Sequence, residues 1–124
     1  MADMPAAPKG PALFPRSITG AQRRALRALG HHLKPVVHVG QRGVTEAVIE
    51  ATRDALAHHE LIKMTTLRDG PLTPKEAPQV LADAVGAHVA QIVGRTALLY
   101  RRSEDDPQIR LPGAVDLGED GAAS

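Results

Sequence analysis

The residues of this 124-residue sequence that could do chemistry are few, and most of them are basic. Pro35 to Val39 is an apolar, β-branched run that passes through Gly40, Gln41, Arg42 and Gly43 into a segment that reads as helix. Glycines at a strand-to-helix junction let the backbone take left-handed angles and let a ligand approach closely. The helix that follows presents unpaired N–H groups and a positive dipole end. Arg42 adds a charge and a fork of donors, so the combination suits a phosphate. A dinucleotide loop needs Gly-x-Gly-x-x-Gly and a Walker A loop needs Gly-x-x-x-x-Gly-Lys-Ser/Thr; neither is present. What is left is the Gly-x-x-Gly loop with which KH-type modules clamp a nucleic-acid backbone, or a tight turn without a ligand. The four residues alone leave both readings open.

Other chemistries fail on residue type or spacing. His31-His32 and His58-His59 are adjacent pairs, and on a helix neighbours one apart point in directions too different to share a metal easily. There is no Cys and no His-x-x-x-His, so no metal site is expected, and helix-end histidines suit the negative dipole end or a phosphate. The serines are Ser17, Ser103 and Ser124, none in a Gly-x-Ser-x-Gly elbow. No catalytic constellation and no cofactor fingerprint is found, so neither an enzyme nor a small-molecule substrate is expected.

Charge points the same way as the loop. Between Arg16 and Arg102 thirteen Lys and Arg stand against seven Asp and Glu, a net of +6 with His neutral, whereas the residues after Arg102 carry a net of −5. A basic middle of this kind suits a polyanionic partner. No apolar run approaches the roughly 20 residues of a membrane span, and the first residues lack the basic and apolar regions of a signal peptide. A cytoplasmic protein without a membrane partner is expected.

The elements that must position these residues follow from periodicity and punctuation. Residues 1–15 hold Pro5, Pro8, Pro11 and Pro15 and read as a disordered arm. Thr19-Gly20-Ala21-Gln22 has the form of a capping box for a helix over about residues 20–32, with Ala25, Leu26, Leu29 and Leu33 as its apolar stripe and Arg23, Arg24 and Arg27 away from it. A strand over Pro35–Val39 is followed by a helix that Thr45 can cap, and then by a strand over Leu61–Leu67. Thr73-Pro74-Lys75-Glu76 is a second capping box, but Pro78 inside the helix would cost about 3 kcal/mol, which moves the expected start of the regular helix toward Pro78. Gly86 is its expected C-terminal cap. His88–Val93 and Thr96–Arg101 read as a hairpin around Gly94-Arg95, a type II′ turn, and residues 103–124 as an acidic disordered tail. The order α-β-α-β-α-β-β predicts one compact α/β domain over residues 16–102. Tyr100, the only Tyr, reads as core or sheet packing before a stacking platform.

The run LRALGHHLKPVVHVGQRGVTEAVIEATRDALAHHELIKM, followed by GRTALLYRR, resembles the CRM (chloroplast RNA splicing and ribosome maturation) domain, and within it the single-domain bacterial YhbY-type ribosome assembly proteins. The resemblance covers about residues 17–102. It implies a four-stranded mixed sheet packed with helices, similar to the C-terminal domain of translation initiation factor 3. It also implies RNA binding and association with large-subunit precursor particles. Carried onto this sequence, the family's loop corresponds to Gly40, Gln41, Arg42 and Gly43, and its basic surface to Arg23, Arg24, Arg27 and Lys34. His31 and Arg95 complete the candidate RNA-contact set. The sequence departs from the family at Gln41, where a basic residue is common, at Pro78, and in both tails. The expected function is a monomeric RNA-binding protein that contacts ribosomal RNA and assists large-subunit assembly. The alternative is an adaptor that binds a ribosome-associated factor without touching RNA.

Overall fold

The computed structural model describes residues 18–103 and 105–112. The elements are α1 (Gly20–Gly30), β1 (Pro35–Val39), α2 (Glu46–His59), β2 (Leu61–Thr66), α3 (Glu76–Val85), β3 (His88–Val93) and β4 (Thr96–Tyr100). One sheet runs β1-β2-β4-β3, with β1 parallel to β2 and β4 antiparallel to both of its neighbours. This is the element order that the pattern predicts, with the mixed four-stranded sheet that the resemblance implies. Residues 1–15, expected as a disordered arm, lie outside the described residues.

Local chemistry sets most of the boundaries. The Thr19–Gln22 capping box is formed in both directions, at 3.0 and 3.1 Å. Thr45 accepts from the Val48 N–H at the start of α2. The second box, between Thr73 and Glu76, is also formed in both directions, but it closes a separate turn ahead of α3. Pro78 therefore falls in the first turn of a helix that begins at Glu76, where its missing N–H leaves no intrahelical bond unmade. Gly86 ends α3 in the left-handed conformation, and Gly94 has φ 59°. Arg95 is not in the left-handed region, which suits a type II′ turn rather than I′.

Strand alternation gives the sheet two different faces. Val37, Val39, Ile62, Met64, Ala97 and Leu99 pack under α2 and α3 with Leu56, Leu81 and Val85. The other face contributes Leu61, Leu98, Tyr100 and Ala90 to a smaller cluster under α1, closed by Leu26, Ile18 and Leu111. The expected stripe on α1 is narrower than its spacing suggested. Leu26 is buried and Ala25 and Leu33 partly so, but Leu29 is 50% exposed because α1 meets the sheet through Leu26 and Gly30. A Cβ at Gly30 would stand 2.6 Å from the Leu98 methyl groups, so any other residue there would displace the buried Leu98 side chain.

Leu111 and Ile109 also correct the expected disordered tail from residue 103. Residues 105–112 run back along the α1 face, and Glu60 is what holds them. Glu60 ends α2 with φ 58°, its N–H donating to the Leu56 carbonyl and its own carbonyl accepting from the Arg101 N–H. Its carboxylate, 3% exposed, accepts from the backbone N–H groups of Ser103 (2.7 Å), Gln108 (2.7 Å) and Ile109 (2.9 Å). A carboxylate saturated by three amides is tolerated in the interior where an unpaired one is not. Gln22 Nε2 then donates to the Pro112 carbonyl and fixes the far end of the segment to α1.

Glu60→Ala leaves three amide donors unsatisfied and keeps the unfavourable backbone angle, so it should cost roughly 3 kcal/mol or more in urea unfolding. Glu60→Gly should cost less, since it relieves the backbone, yet lose amide-exchange protection at Ser103, Gln108 and Ile109 equally. Burial, and secondarily the Glu60 charge, push the Tyr100 phenol up to about 12, which means that folding favours its neutral form. Its contribution, about 2–3 kcal/mol, is therefore complete below the unfolded value near 10 and lost as the pH rises from 10 to 12. Phenolate absorbance of this single Tyr should titrate near 12 while the protein stays folded.

Candidate nucleic-acid interface

The turn from Gly40 to Gly43 is closed by the Gly43 N–H donating to the Gly40 carbonyl at 3.0 Å, with Gln41 and Arg42 exposed at its tip. The two glycines have different causes. Gly43 has φ 72° and is buried, and a Cβ there would press on Pro71 at 3.1 Å, so the turn itself demands glycine. Gly40 has no positive φ, and a Cβ there would make only an ordinary 3.4 Å contact with the end of the Leu67 side chain. Nothing inside the fold requires Gly40 to lack a side chain. The Arg68–Pro71 turn supports the loop from behind, where a methyl on Gly70 would collide with the Gly40 carbonyl. The start of α2 is already partly answered by the Thr45 cap and by Glu46 in its first turn, so the positive end of the helix is weaker toward an outside anion than its position suggests.

Strand register gathers further cations at the same end of the sheet. Val39 is paired with Thr66, and Thr65 with Thr96, so the loop after β1, the turn after β2 and the Gly94-Arg95 hairpin lie along one edge. Arg95 is tied into it: its Nε donates to the Thr66 carbonyl at 3.0 Å and its own carbonyl accepts from the Thr66 N–H at 2.8 Å. Arg42 and Arg68 are exposed and make no hydrogen bond or ion pair among the described residues. On the α1 face of the sheet, the positions that continue past the small core toward this end are His38, Lys63, Thr65, Gln91 and Thr96. That half-face carries no acid, and the exposed Val93, paired with Thr96, is its one apolar interruption among these positions.

The predicted residues on and after α1 separate into different roles. Arg23 spends its guanidinium on the edge strand, Nη1 donating to the Val89 carbonyl at 2.7 Å and toward that of Ala90 at 3.4 Å. Arg24 is exposed, while Arg27 and His31 border a cleft between α1 and strands β4 and β3 that also exposes Lys63. Lys34 lies on the opposite side of α1, beside an apolar groove lined by Leu29, Leu33 and Val36. The structure thus joins Gly40, Gln41, Arg42, Gly43 and Arg95 at the sheet end and Arg27 and His31 at the cleft. It does not bring Arg23 or Lys34 to the same surface. Sequence reasoning missed Lys63 and Arg68; the signal for Lys63 was a single cation at an alternate position of an apolar strand. Among the described residues no group of three or more His, Asp or Glu could hold a metal ion, and no helix is long and apolar enough to cross a membrane.

Comparison with known proteins gives a consistent set. Residues 18–101 match the family model of the CRS1 / YhbY (CRM) domain. A Bacillus subtilis protein named a probable RNA-binding protein is 35% identical over 95 residues, covering 77% of this chain and 99% of its own length. A Haemophilus influenzae RNA-binding protein is 36% identical over 100 residues, covering 77% of this chain and 96% of its own. Among solved structures, a Staphylococcus aureus protein described as a candidate RNA binder superposes with a TM-score of 0.58 at 29% identity, covering 77% of this chain and 99% of that one.

The contacts of Arg23 and Arg42 separate a fold role from a surface role. Arg23→Ala removes two contacts to edge-strand carbonyls and should lower unfolding free energy by about 1–2 kcal/mol. Arg42→Ala should leave it within about 0.5 kcal/mol, as measured by urea unfolding of both variants beside the parent.

Proposed function

The chain belongs to the CRS1 / YhbY (CRM) domain family, and from that premise we propose that it binds ribosomal RNA through the Gly40–Gly43 loop and assists assembly of the large ribosomal subunit. The observation that carries the loop contact is Gly40, a glycine that the fold does not require, next to an exposed Arg42 that has no partner among the described residues. An RNA backbone can approach the bare Cα of Gly40 while Arg42 forks onto phosphate oxygens. Arg68 and Arg95 extend the positive edge on either side.

Recognition in this reading is of backbone and shape. Sheets that read RNA by stacking present several aromatic rings, and the single Tyr of this sheet is buried at the pairing of Leu61 with Tyr100. Gln41 at the loop tip contributes amide hydrogen bonds in place of a second charge. The protein acts without catalysis, as a monomer in the cytoplasm, on precursor particles of the large subunit. The ribosomal part of the proposal rests on the resemblance to YhbY-type assembly proteins.

The adaptor reading has one observation in its favour: Leu29 and Val36, 50% and 54% exposed, face the groove on the β1 side of α1. RNase treatment before sucrose-gradient sedimentation separates the two readings, since an RNA-held protein leaves the particle fraction and an adaptor stays with its factor.

Filter binding to large-subunit ribosomal RNA across a salt series gives the quantitative test. Affinity should fall linearly on a log–log plot with a slope of about −0.7 per phosphate contacted on single strands, and Arg42→Glu should both weaken binding and flatten the slope by roughly one contact. An affinity indifferent to salt contradicts the proposal.

A further inference from the structure

The cleft between the last turn of α1 and strands β4 and β3, with a volume of about 280 Å³, is lined by Arg27, Gly30, His31, Lys63, Gln91 and Thr96 over a floor that includes Leu98. We propose that it seats one unpaired nucleotide of the bound RNA, with Arg27 and Lys63 on the phosphate and Gln91 and Thr96 on the base. The inference rests on the RNA-binding reading above and adds to it a second, base-reading site away from the loop.

In β3, Val89 pairs with Leu99 and Gln91 with Leu98, so the register slips at Ala90. Val89 and Leu99 belong to the core under α2 and α3. Without the slip, Gln91, two residues on, would face the same apolar core; the bulge turns it onto the α1 face and into the cleft. Bulges re-aim side chains in this way beside functional sites. The fold gains no hydrogen bond from it, because the Gln91 amide has no partner among the described residues and is left with a donor and an acceptor for a base edge.

The rest of the lining complements a nucleotide. Thr96 Oγ1 donates to the Val93 carbonyl at 2.9 Å, which leaves its lone pairs to accept from a base amino or imino group. Arg27 and Lys63 make no hydrogen bond or ion pair among the described residues, and no acid lines the cleft. Gly30 sets the width, since its bare Cα brings the helix down onto Leu98. At just under the roughly 300–1,000 Å³ of clefts that bury a drug-sized ligand, the space takes a single nucleotide and excludes a duplex.

The test uses the full chain with four 5′-phosphorylated single-stranded RNA hexamers of different base composition and one blunt RNA duplex, read by fluorescence anisotropy. It also uses amide chemical-shift mapping with a trinucleotide. The parent protein is expected to prefer one hexamer, with shifts at Gly30, His31, Gln91 and Thr96. Gln91→Leu should reduce that preference by about fivefold or more, as loss of a two-point base contact does. Lys63→Met, which keeps the aliphatic stem, should weaken all hexamers by about tenfold and the duplex far less. The inference is overturned if both variants keep hexamer affinity and preference within twofold while Arg42→Glu still weakens RNA binding, because the loop reading then survives without the cleft. Failure of the parent protein to bind any of the RNAs would overturn both.

Discussion

Everything on the basic side of this molecule depends on how one face of a four-stranded sheet is divided. The face under α2 and α3 is sealed by a continuous apolar core. The other face has only α1, eleven residues and about 16 Å long, which is too short to cover it. The segment held by Glu60 completes the cover at one end, placing Ile109 and Leu111 beside α1 over Leu61 and Tyr100. What stays open is the other end, where β1 and β2 finish and β4 begins. A half-face left to water favours polar residues, and here Lys63, Thr65, Gln91 and Thr96 supply them around the exposed Val93.

That division explains why the cations of this chain do not act alike. Arg23 sits over the covered part and serves the edge of β3, blunting a row of carbonyls that an unpaired strand would otherwise offer to another chain. Arg95 sits at the boundary and is shared between the backbone of β2 and the surface. Arg42 and Arg68, beyond the last strand residues, have no partner among the described residues. A charge that the fold uses cannot be moved to a ligand without cost, so under the proposed function Arg42 and Arg68 are where an RNA backbone gains most.

Much of this was legible in the sequence because it is written locally. The capping box at Thr19, the turn glycines 86 and 94 and the β-branched, apolar run of β2 each involve residues within a few positions of one another, and each gives the element it signals, whereas the box at Thr73 closes a turn ahead of α3. The loop glycines were legible too, although only the structure distinguishes Gly43, required by the turn, from Gly40, which is not. Glu60 was not legible. It lies in a His-His-Glu-Leu stretch that reads as a solvated helix end, and its partners are 43 to 49 residues away. The same distance hid the packed segment around Leu111 inside what composition marks as an acidic tail, and a pairing slip of one residue hid the aim of Gln91.

The claim at the centre is that RNA lies across the open end of the sheet rather than on the helical face. Ultraviolet crosslinking of the protein to large-subunit ribosomal RNA, followed by mass spectrometry of the crosslinked peptides, tests it most directly. The expected result is crosslinks confined to the peptides containing Gly40–Gly43, Arg68, and Arg95–Thr96, joined by the peptide of Arg27–His31. Crosslinks concentrated on the outer surfaces of α2 and α3, with the loop and the hairpin unmodified, would contradict it.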